Sequence, residues 1–267
     1  KLVWPTRVPA EASARLTRVM LRREKREVAA DMPEKIWQTI DVELPREVRA
    51  EIEKLCQEAL AKLDEKGRDL DATLERLLEK GGLEFDEFAQ AYQALAMAKI
   101  PAMLEVVEEY EEAREPLIVF SAHRAPIEAL SKRPGWGVVM GGIQDKAQVV
   151  EDFQSGKHWA GCAGTIAAMG TIYTLTRASN VLFVDQALTP TIMDQAEDRV
   201  HRIGQTRGVL IRRLVSDHPI EKKIAAMLDR KRKIFEGSVS RASVDTKATA
   251  DRLVAGPLEK LLELIRR

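Results

Sequence analysis

Gln195-Ala-Glu-Asp-Arg-Val-His-Arg-Ile-Gly-Gln205 sets Arg199 and Arg202 three residues apart in a dense polar run. Residues at that spacing share one face of a helix. A helix over residues 191–201 therefore presents the two guanidinium groups together, on its surface or across its end. Paired planar forks of fixed positive charge match phosphate oxygens in both geometry and charge, above all a polyphosphate or its transferring γ-phosphoryl group. A bare pair of arginines at this spacing usually solvates a helix face. The whole eleven-residue string is far more specific than that pair, and the chain around it decides the fold.

Upstream of the string, short apolar runs alternate with helical stretches. Leu117-Ile-Val-Phe120 is followed by a helix near 126–130, then Gly137-Val-Val-Met140 and a helix near 146–153. An apolar piece at 159–163 precedes the segment 164–176, and Asn180-Val-Leu-Phe-Val184 leads into the 191–201 helix. Val209-Leu-Ile-Arg-Arg-Leu214 closes the series. Buried strands alternating with helices at this spacing predict an α/β fold with a parallel sheet, helices on both faces, and ligands at the carboxyl ends of the strands.

The flanks read differently. Residues 45–115 are helical in pattern, with Ile52, Leu55, Cys56, Leu60 and Leu63, then Leu70, Leu74, Leu77 and Leu78, at helical spacing. Gly81-Gly82 interrupts them, 85–98 is amphipathic, and Pro101 suits the first turn of a helix running to about residue 114. Asp41-Val-Glu-Leu44 predicts a short strand ended by Pro45. The expected organisation is a connector over 1–44, a helical insertion over 45–115, the sheet-bearing lobe over 116–216 and brace helices over 217–267. That last region holds a basic amphipathic helix at 220–235 and a tail with Leu253, Leu258, Leu261 and Leu262 at helical spacing.

Composition narrows the function class. Hydrophobic residues at 45% and charged residues at 31% belong to a globular chain. No apolar run reaches the roughly 18–20 residues of a membrane span, so no membrane partner is expected. Cys56 and Cys162 lack metal-ligand spacing and read as reduced thiols of an intracellular protein, in cytoplasm, nucleoid or nucleus. No metal site is expected in this chain. Net charge is zero, but the charge is segregated. Residues 199–233 carry eleven Lys/Arg against three Asp/Glu, residues 15–26 are also basic, and residues 105–115 are strongly acidic. A local positive field along a phosphate backbone is compatible with overall neutrality.

The other half of a nucleotide site is missing. A P-loop needs Gly-x-x-x-x-Gly-Lys-Ser/Thr, because backbone N–H groups cradle the phosphates and the hydroxyl binds magnesium. The one Gly-Lys pair, Gly156-Lys157, is followed by His158. Together with a start at Lys1, this creates the expectation that the chain is half of a motor.

The 195–205 string closely resembles motif VI of the Swi/Snf-type ATPases of helicase superfamily two. DEAD-box helicases share His-Arg-Ile-Gly but continue differently; Gln195-Ala-Glu-Asp before it and Gln205-Thr-Arg-Gly after it sit on the Swi/Snf side. Further stretches carry the likeness over roughly residues 15–238. Val19–Val28 and Pro33-Glu-Lys35 resemble the segment that enters the family's second RecA-like lobe. Ala98-Lys-Ile-Pro101 is similar to the annealing-helicase branch. Pro116–His123 resembles motif IV, Gly141–Gln154 the segment after it, and Gly164–Thr176 motif V. In motif V, Met169 and Ile172 stand where the family usually has glycines, and Thr174 replaces an asparagine, which predicts a stiffer loop.

The resemblance implies the second RecA-like lobe of an ATP-dependent duplex-DNA translocase. Arg199 and Arg202 would be its arginine fingers, with Gly170, Gln195 and Asp198 also at the nucleotide. Ser121, His123, Arg124, Thr165 and Thr174 would line the DNA track. ATP and Mg²⁺ would be held mainly by the missing first lobe, and the partners would be duplex or forked DNA and that lobe. The isolated chain would then be inactive as an ATP hydrolase. The alternative reading is a non-enzymatic DNA- or protein-binding module built on a lone lobe.

Overall fold

The computed structural model describes residues 31–65 and 86–219, with residues 29, 221, 222, 224, 225 and 228 beside them. The segment 15–28, the leucines at 70–78, Gly81-Gly82, the basic run 230–233 and the leucine-spaced tail lie outside the described residues. Asp31–Lys222 forms one compact unit.

The chain order is β1 (Lys35–Val42), α1 (Arg46–Glu65), α2 (Asp86–Ala98), α3 (Ile100–Glu112), β2 (Leu117–Ser121), α4 (Arg124–Leu130) and β3 (Trp136–Val139). It continues with α5 (Lys146–Gln154), β4 (Gly161–Thr165), α6 (Ile166–Met169), β5 (Asn180–Phe183), α7 (Pro190–Val200) and β6 (Val209–Ser216). The six strands form one sheet in the order β1-β6-β5-β2-β4-β3. Every neighbouring pair is parallel. The α/β class and the parallel sheet are as the strand–helix alternation predicts.

Alternation along β2 builds two cores. Ile118 and Phe120 point to one face, with Phe153, Ile166, Met169, Met193 and Ala196. Leu117 and Val119 point to the other, with Met103, Val106, Val107, Ile127 and Leu130. Helices α5, α6 and α7 thus cover one face, and α3 and α4 cover the other. Both sides of a central strand are dry, so it reads as an unbroken apolar run. Each buried aliphatic or aromatic side chain stabilises the fold by about 1.5–3 kcal/mol. Phe120 and Phe183 stack at 5.2 Å across β2 and β5, in the centre.

Two strands depart from expectation. The first begins at Lys35, not Asp41, and pairs in register with all of β6, from Lys35↔Val209 to Val42↔Ser216. Its residues are mostly exposed, so its backbone ladder, and not an apolar side-chain run, defines it. The fourth strand is Gly161–Thr165, two residues later than the apolar piece at 159–163. Its small residues reflect close approach. A Cβ on Gly164 would lie 2.7 Å from Met169 Cβ and 2.8 Å from the Val139 carbonyl oxygen. The Met169 side chain occupies the space that Gly164 leaves, and Cys162 Sγ lies 3.5 Å from Met169 Sδ. Cys162 is fully buried, and burial pushes its thiol up to about 12. It is an unreactive core residue.

The carboxyl ends of β5 and β6 are occupied by the protein itself. Lys99, between α2 and α3, has no exposed surface. Its Nζ donates to the Val184 carbonyl at 3.2 Å and the Leu214 carbonyl at 3.0 Å, and is ion-paired with Glu221. Glu221 also accepts from the Ser216 N–H at 2.8 Å and hydroxyl at 2.5 Å. A buried charge is tolerated when it is paired and hydrogen-bonded in this way.

Candidate functional site

Arg199 lies near the end of α7, whose inner face buries Met193, Ala196, Glu197 and Val200. Its Nε donates to the Gln195 carbonyl at 3.1 Å, one turn back. Arg202 sits in the loop just after α7, and its Nη1 donates to Thr174 Oγ1 at 3.1 Å. The Leu175 N–H donates to the Arg199 carbonyl at 2.8 Å. Gln205 staples the two segments from below, donating to the Thr176 and Ala178 carbonyls at 3.1 and 2.7 Å. The 164–176 and 195–205 segments are therefore joined into one surface. Gly170 lets them approach: a Cβ there would lie 2.5 Å from the Ile166 carbonyl oxygen and 3.1 Å from Ala196 Cβ.

Neither arginine meets a carboxylate among the described residues. Arg49, Arg124, Arg133, Arg207, Arg212 and Arg213 each do. Ile172 and Ile203 flank the pair and are 72% and 83% exposed. Gln195 is exposed on the same helix, whereas Asp198 accepts from Lys35 Nζ at 3.0 Å and so faces β1. Thr174 belongs to this surface, through Arg202, and not to the cluster that holds Ser121 and His123.

That second cluster lies at the carboxyl end of β2. Ser121 is fully buried, and its hydroxyl donates to Asp185 Oδ2 at 2.6 Å. The Ala122 N–H also donates to Asp185, and the His123 N–H donates to Ser121 Oγ at 2.9 Å. His123 Nδ1 lies 3.3 Å from Asp185 Oδ2, and the Tyr92 ring meets the imidazole edge-on at 5.3 Å. Tyr92 donates its hydroxyl to the Gln186 carbonyl. Burial, then the Asp185 and Glu221 carboxylates, hold the Tyr92 phenol well above its usual range. An open recess of about 230 Å³ is lined by Tyr92, His123, Gln186, Leu188, Thr189 and Ile192. Arg124 Nη1 donates to the Gly141 carbonyl at 3.2 Å, and Nε to Glu128 at 3.1 Å. Thr165 pairs with Ser121 in register, opens α6 and is nearly buried.

Sequence reasoning missed Asp185, Tyr92 and the Lys99–Glu221 pair. Asp185 had a signal: it is the acid that directly follows the apolar run 181–184.

A six-stranded parallel sheet covered by helices on both faces defines the class: an α/β lobe of RecA-like architecture. No family model matches the chain. It is 25% identical over 246 residues to the mouse "DNA annealing helicase and endonuclease ZRANB3", covering 88% of this chain and 22% of that protein. It is 29% identical over 254 residues to the Xenopus laevis "SWI/SNF-related matrix-associated actin-dependent regulator of chromatin subfamily A-like protein 1", covering 91% and 25%. Among solved structures it is similar to the Sulfolobus solfataricus SWI2/SNF2 ATPase C-terminal domain, with TM-score 0.56, 16% identity, and 78% and 91% of the two chains covered. The ATPase core of that type in complex with dsDNA aligns with TM-score 0.58 and 23% identity, over 84% and 50%. Over about nine-tenths of its length the chain is thus similar to SNF2/Swi-Snf-type proteins, and its fold is like that of a SWI2/SNF2 ATPase C-terminal domain. It spans about a quarter or less of the two curated relatives just described.

Proposed function

We propose that this lobe supplies the arginine fingers and part of the DNA track of an ATP-dependent duplex-DNA translocase of annealing-helicase type. The carrying observation is the pair Arg199 and Arg202. Among the described residues both are held by neutral oxygens only, in a lobe where six other arginines meet carboxylates. An unneutralised guanidinium pair fits the γ-phosphoryl end of ATP presented by a partner lobe. The exposed Ile172 and Ile203 around them suit a surface covered when a nucleotide-holding lobe closes on it. When bound, ATP and Mg²⁺ supply the phosphoryl group and its charge neutralisation; Mg²⁺ belongs to the partner lobe in this reading. Arg199 and Arg202 stabilise charge that develops on the transferring group, and Gln195 stands beside them. Gly170 keeps α6 close to α7, so that motion of the 164–176 segment is felt at the arginines.

On the track, the outer groups are His123 and Arg124. Ser121 supports them from beneath, because its buried hydroxyl is committed to Asp185 and has no proton left for a phosphate, and Thr165 lies nearly buried beside it in register. The Arg124–Glu128 pair is exposed on both sides, and such pairs are worth about 0–1 kcal/mol, so Arg124 exchanges readily onto a phosphate. Binding of this kind is carried by phosphate neutralisation, with steep salt dependence and little base readout. The function places the protein inside the cell, with DNA. No helix among the described residues is long and apolar enough to cross a membrane.

The test joins this lobe to a P-loop lobe, as one chain, and measures ATP hydrolysis with and without duplex DNA. Stimulation by the duplex, absent from the 267-residue chain alone, is the expected result. Hydrolysis indifferent to duplex would overturn the translocase reading. Salt-dependent duplex binding with no nucleotide effect would leave a binding module in its place.

A further inference from the structure

Glu197 and Asp198 turn away from the nucleotide side of α7, toward the strand by which the chain enters the lobe. Glu197 is 2% exposed and receives three donors. Arg213 Nη2 on β6 reaches Oε1 at 2.7 Å. Lys35 Nζ and Trp37 Nε1, both on β1, reach Oε2 at 3.5 and 3.3 Å. Lys35 Nζ also reaches Asp198 Oδ1 at 3.0 Å. One turn further on, His201 Nε2 lies 2.7 Å from the Pro33 carbonyl oxygen, which fixes that nitrogen as the donor. The segment 33–37 is thus tied to Glu197, Asp198 and His201. Those residues bracket Arg199 and immediately precede Arg202.

The arginines have little else to aim them. Arg199 is held by one backbone carbonyl of its own helix, and Arg202 by one hydroxyl. Their direction in space therefore depends on the roll and height of α7. Apolar packing fixes which face of α7 is buried. Roll about the helix axis is a finer quantity, set by directional contacts at the rim. The contacts to Lys35, Trp37 and Arg213 supply these, and charge-assisted bonds to a buried carboxylate are the strong kind. Trp37 is 54% exposed, so its ring buries little, while its N–H is committed to Glu197.

We propose that Lys35 and Trp37 are positioning residues for the arginine fingers, holding α7 through Glu197 and Asp198 so that the entering strand sets finger alignment. This rests on the finger reading above. It also gives the connector a role in coupling: a displacement of β1 and the residues just before it would reach the arginines through three side-chain contacts and the Pro33 carbonyl.

The experiment uses the lobe joined to a P-loop lobe and compares Lys35→Met, Trp37→Phe and Lys35→Arg with Arg202→Ala. Met keeps the stem of Lys35 without its charge, and Phe keeps a ring without the donor. An ångström-scale misalignment of a catalytic group costs up to about 100-fold, so Lys35→Met should lower kcat about tenfold and Trp37→Phe severalfold. KM for ATP and the thermal midpoint should hardly change, and Lys35→Arg should recover most of kcat. On the Arg202→Ala background the two substitutions should add little, because the group they align is gone. Unchanged kcat in Lys35→Met and Trp37→Phe, with hydrolysis lost in Arg202→Ala, overturns the positioning role and leaves the fingers intact. The same fractional loss on both backgrounds also overturns it, as a purely structural effect. Near-normal kcat in both Arg199→Ala and Arg202→Ala removes the finger reading itself, and this inference with it.

Discussion

Lys99 and Arg202 are cations of one lobe placed in opposite circumstances. Lys99 has no exposed surface, and two strand-end carbonyls and the Glu221 carboxylate meet its ammonium. Arg202 is exposed and meets one threonine hydroxyl. Desolvation explains the first arrangement, since a buried charge persists only if paired and hydrogen-bonded. Water solvates the second, so nothing in the lobe itself requires that surface to be cationic. Charge that the fold consumes is matched inside the fold, and charge it leaves unmatched at a structured surface is available to a ligand. The same contrast separates Ser121, whose proton goes to Asp185, from Arg124, whose partner is an exposed carboxylate.

The comparison breaks most visibly at the arginines. Arg199→Ala or Arg202→Ala, in the lobe joined to a P-loop lobe, should lower DNA-stimulated kcat by about 10³-fold or more while sparing duplex affinity. Lysine should not restore it, because a point charge lacks the bidentate fork. Folding should be untouched, since both side chains lie outside the core. Single-turnover hydrolysis beside a duplex titration checks both halves. A variant that unfolds the lobe, or keeps near-normal kcat, would erase the distinction between the two cations.

At Lys99 the signs reverse, with a large effect on stability and none aimed at chemistry. Lys99→Met leaves Glu221 buried without its counter-charge, and breaking a buried pair from one side costs about 3–5 kcal/mol. Urea unfolding of Lys99→Met should show that loss, and Lys99→Met/Glu221→Gln should recover a good part of it. Equal stability of the single and double variants would mean that the carbonyl contacts, not the ion pair, hold this edge.

How much of this was legible from sequence divides along similar lines. Strands β2 and β5 are largely apolar runs because both sheet faces are covered, and β6 keeps Val209, Ile211 and Leu214 buried around its two arginines; each was placed within two residues. Strand β1 was mostly missed, since Lys35-Ile-Trp-Gln-Thr-Ile carries the mixed pattern of a partly wet edge. Strand β4 was displaced, because Gly161-Cys-Ala-Gly-Thr165 answers to close approach and not to apolarity. The arginine pair was legible as a local string. Its wiring was not: Lys35 and Trp37 stand 162 and 160 residues from Glu197, and Lys99 stands 122 from Glu221. No periodicity announces a contact at that separation. Thr174 was grouped with the DNA residues on motif position alone, and its hydroxyl accepts from Arg202.

The smallest effect separates the two regions by pH. His218, just past β6, is 4% exposed, and burial above all holds its imidazole below the ordinary value of 6.5. Arg49 acts in the same direction, while Glu53, Asp217 and Glu221 act against it, and the net shift is downward. The unfolded chain therefore binds more protons than the native one between about 6.5 and the depressed native value. Stability should be flat above about pH 6.5 and fall as pH drops through that window. The neighbouring Asp217 carboxyl, held low chiefly by the hydrogen bond from Arg49, loses its contribution only in more acidic solution, below the ordinary carboxylate range. Urea midpoints for the chain between pH 7.5 and 5 should slope, and His218→Gln should flatten them. If the slope survives His218→Gln, acid sensitivity lies outside the strand-end network, and that edge is no more pH-sensitive than the arginine face.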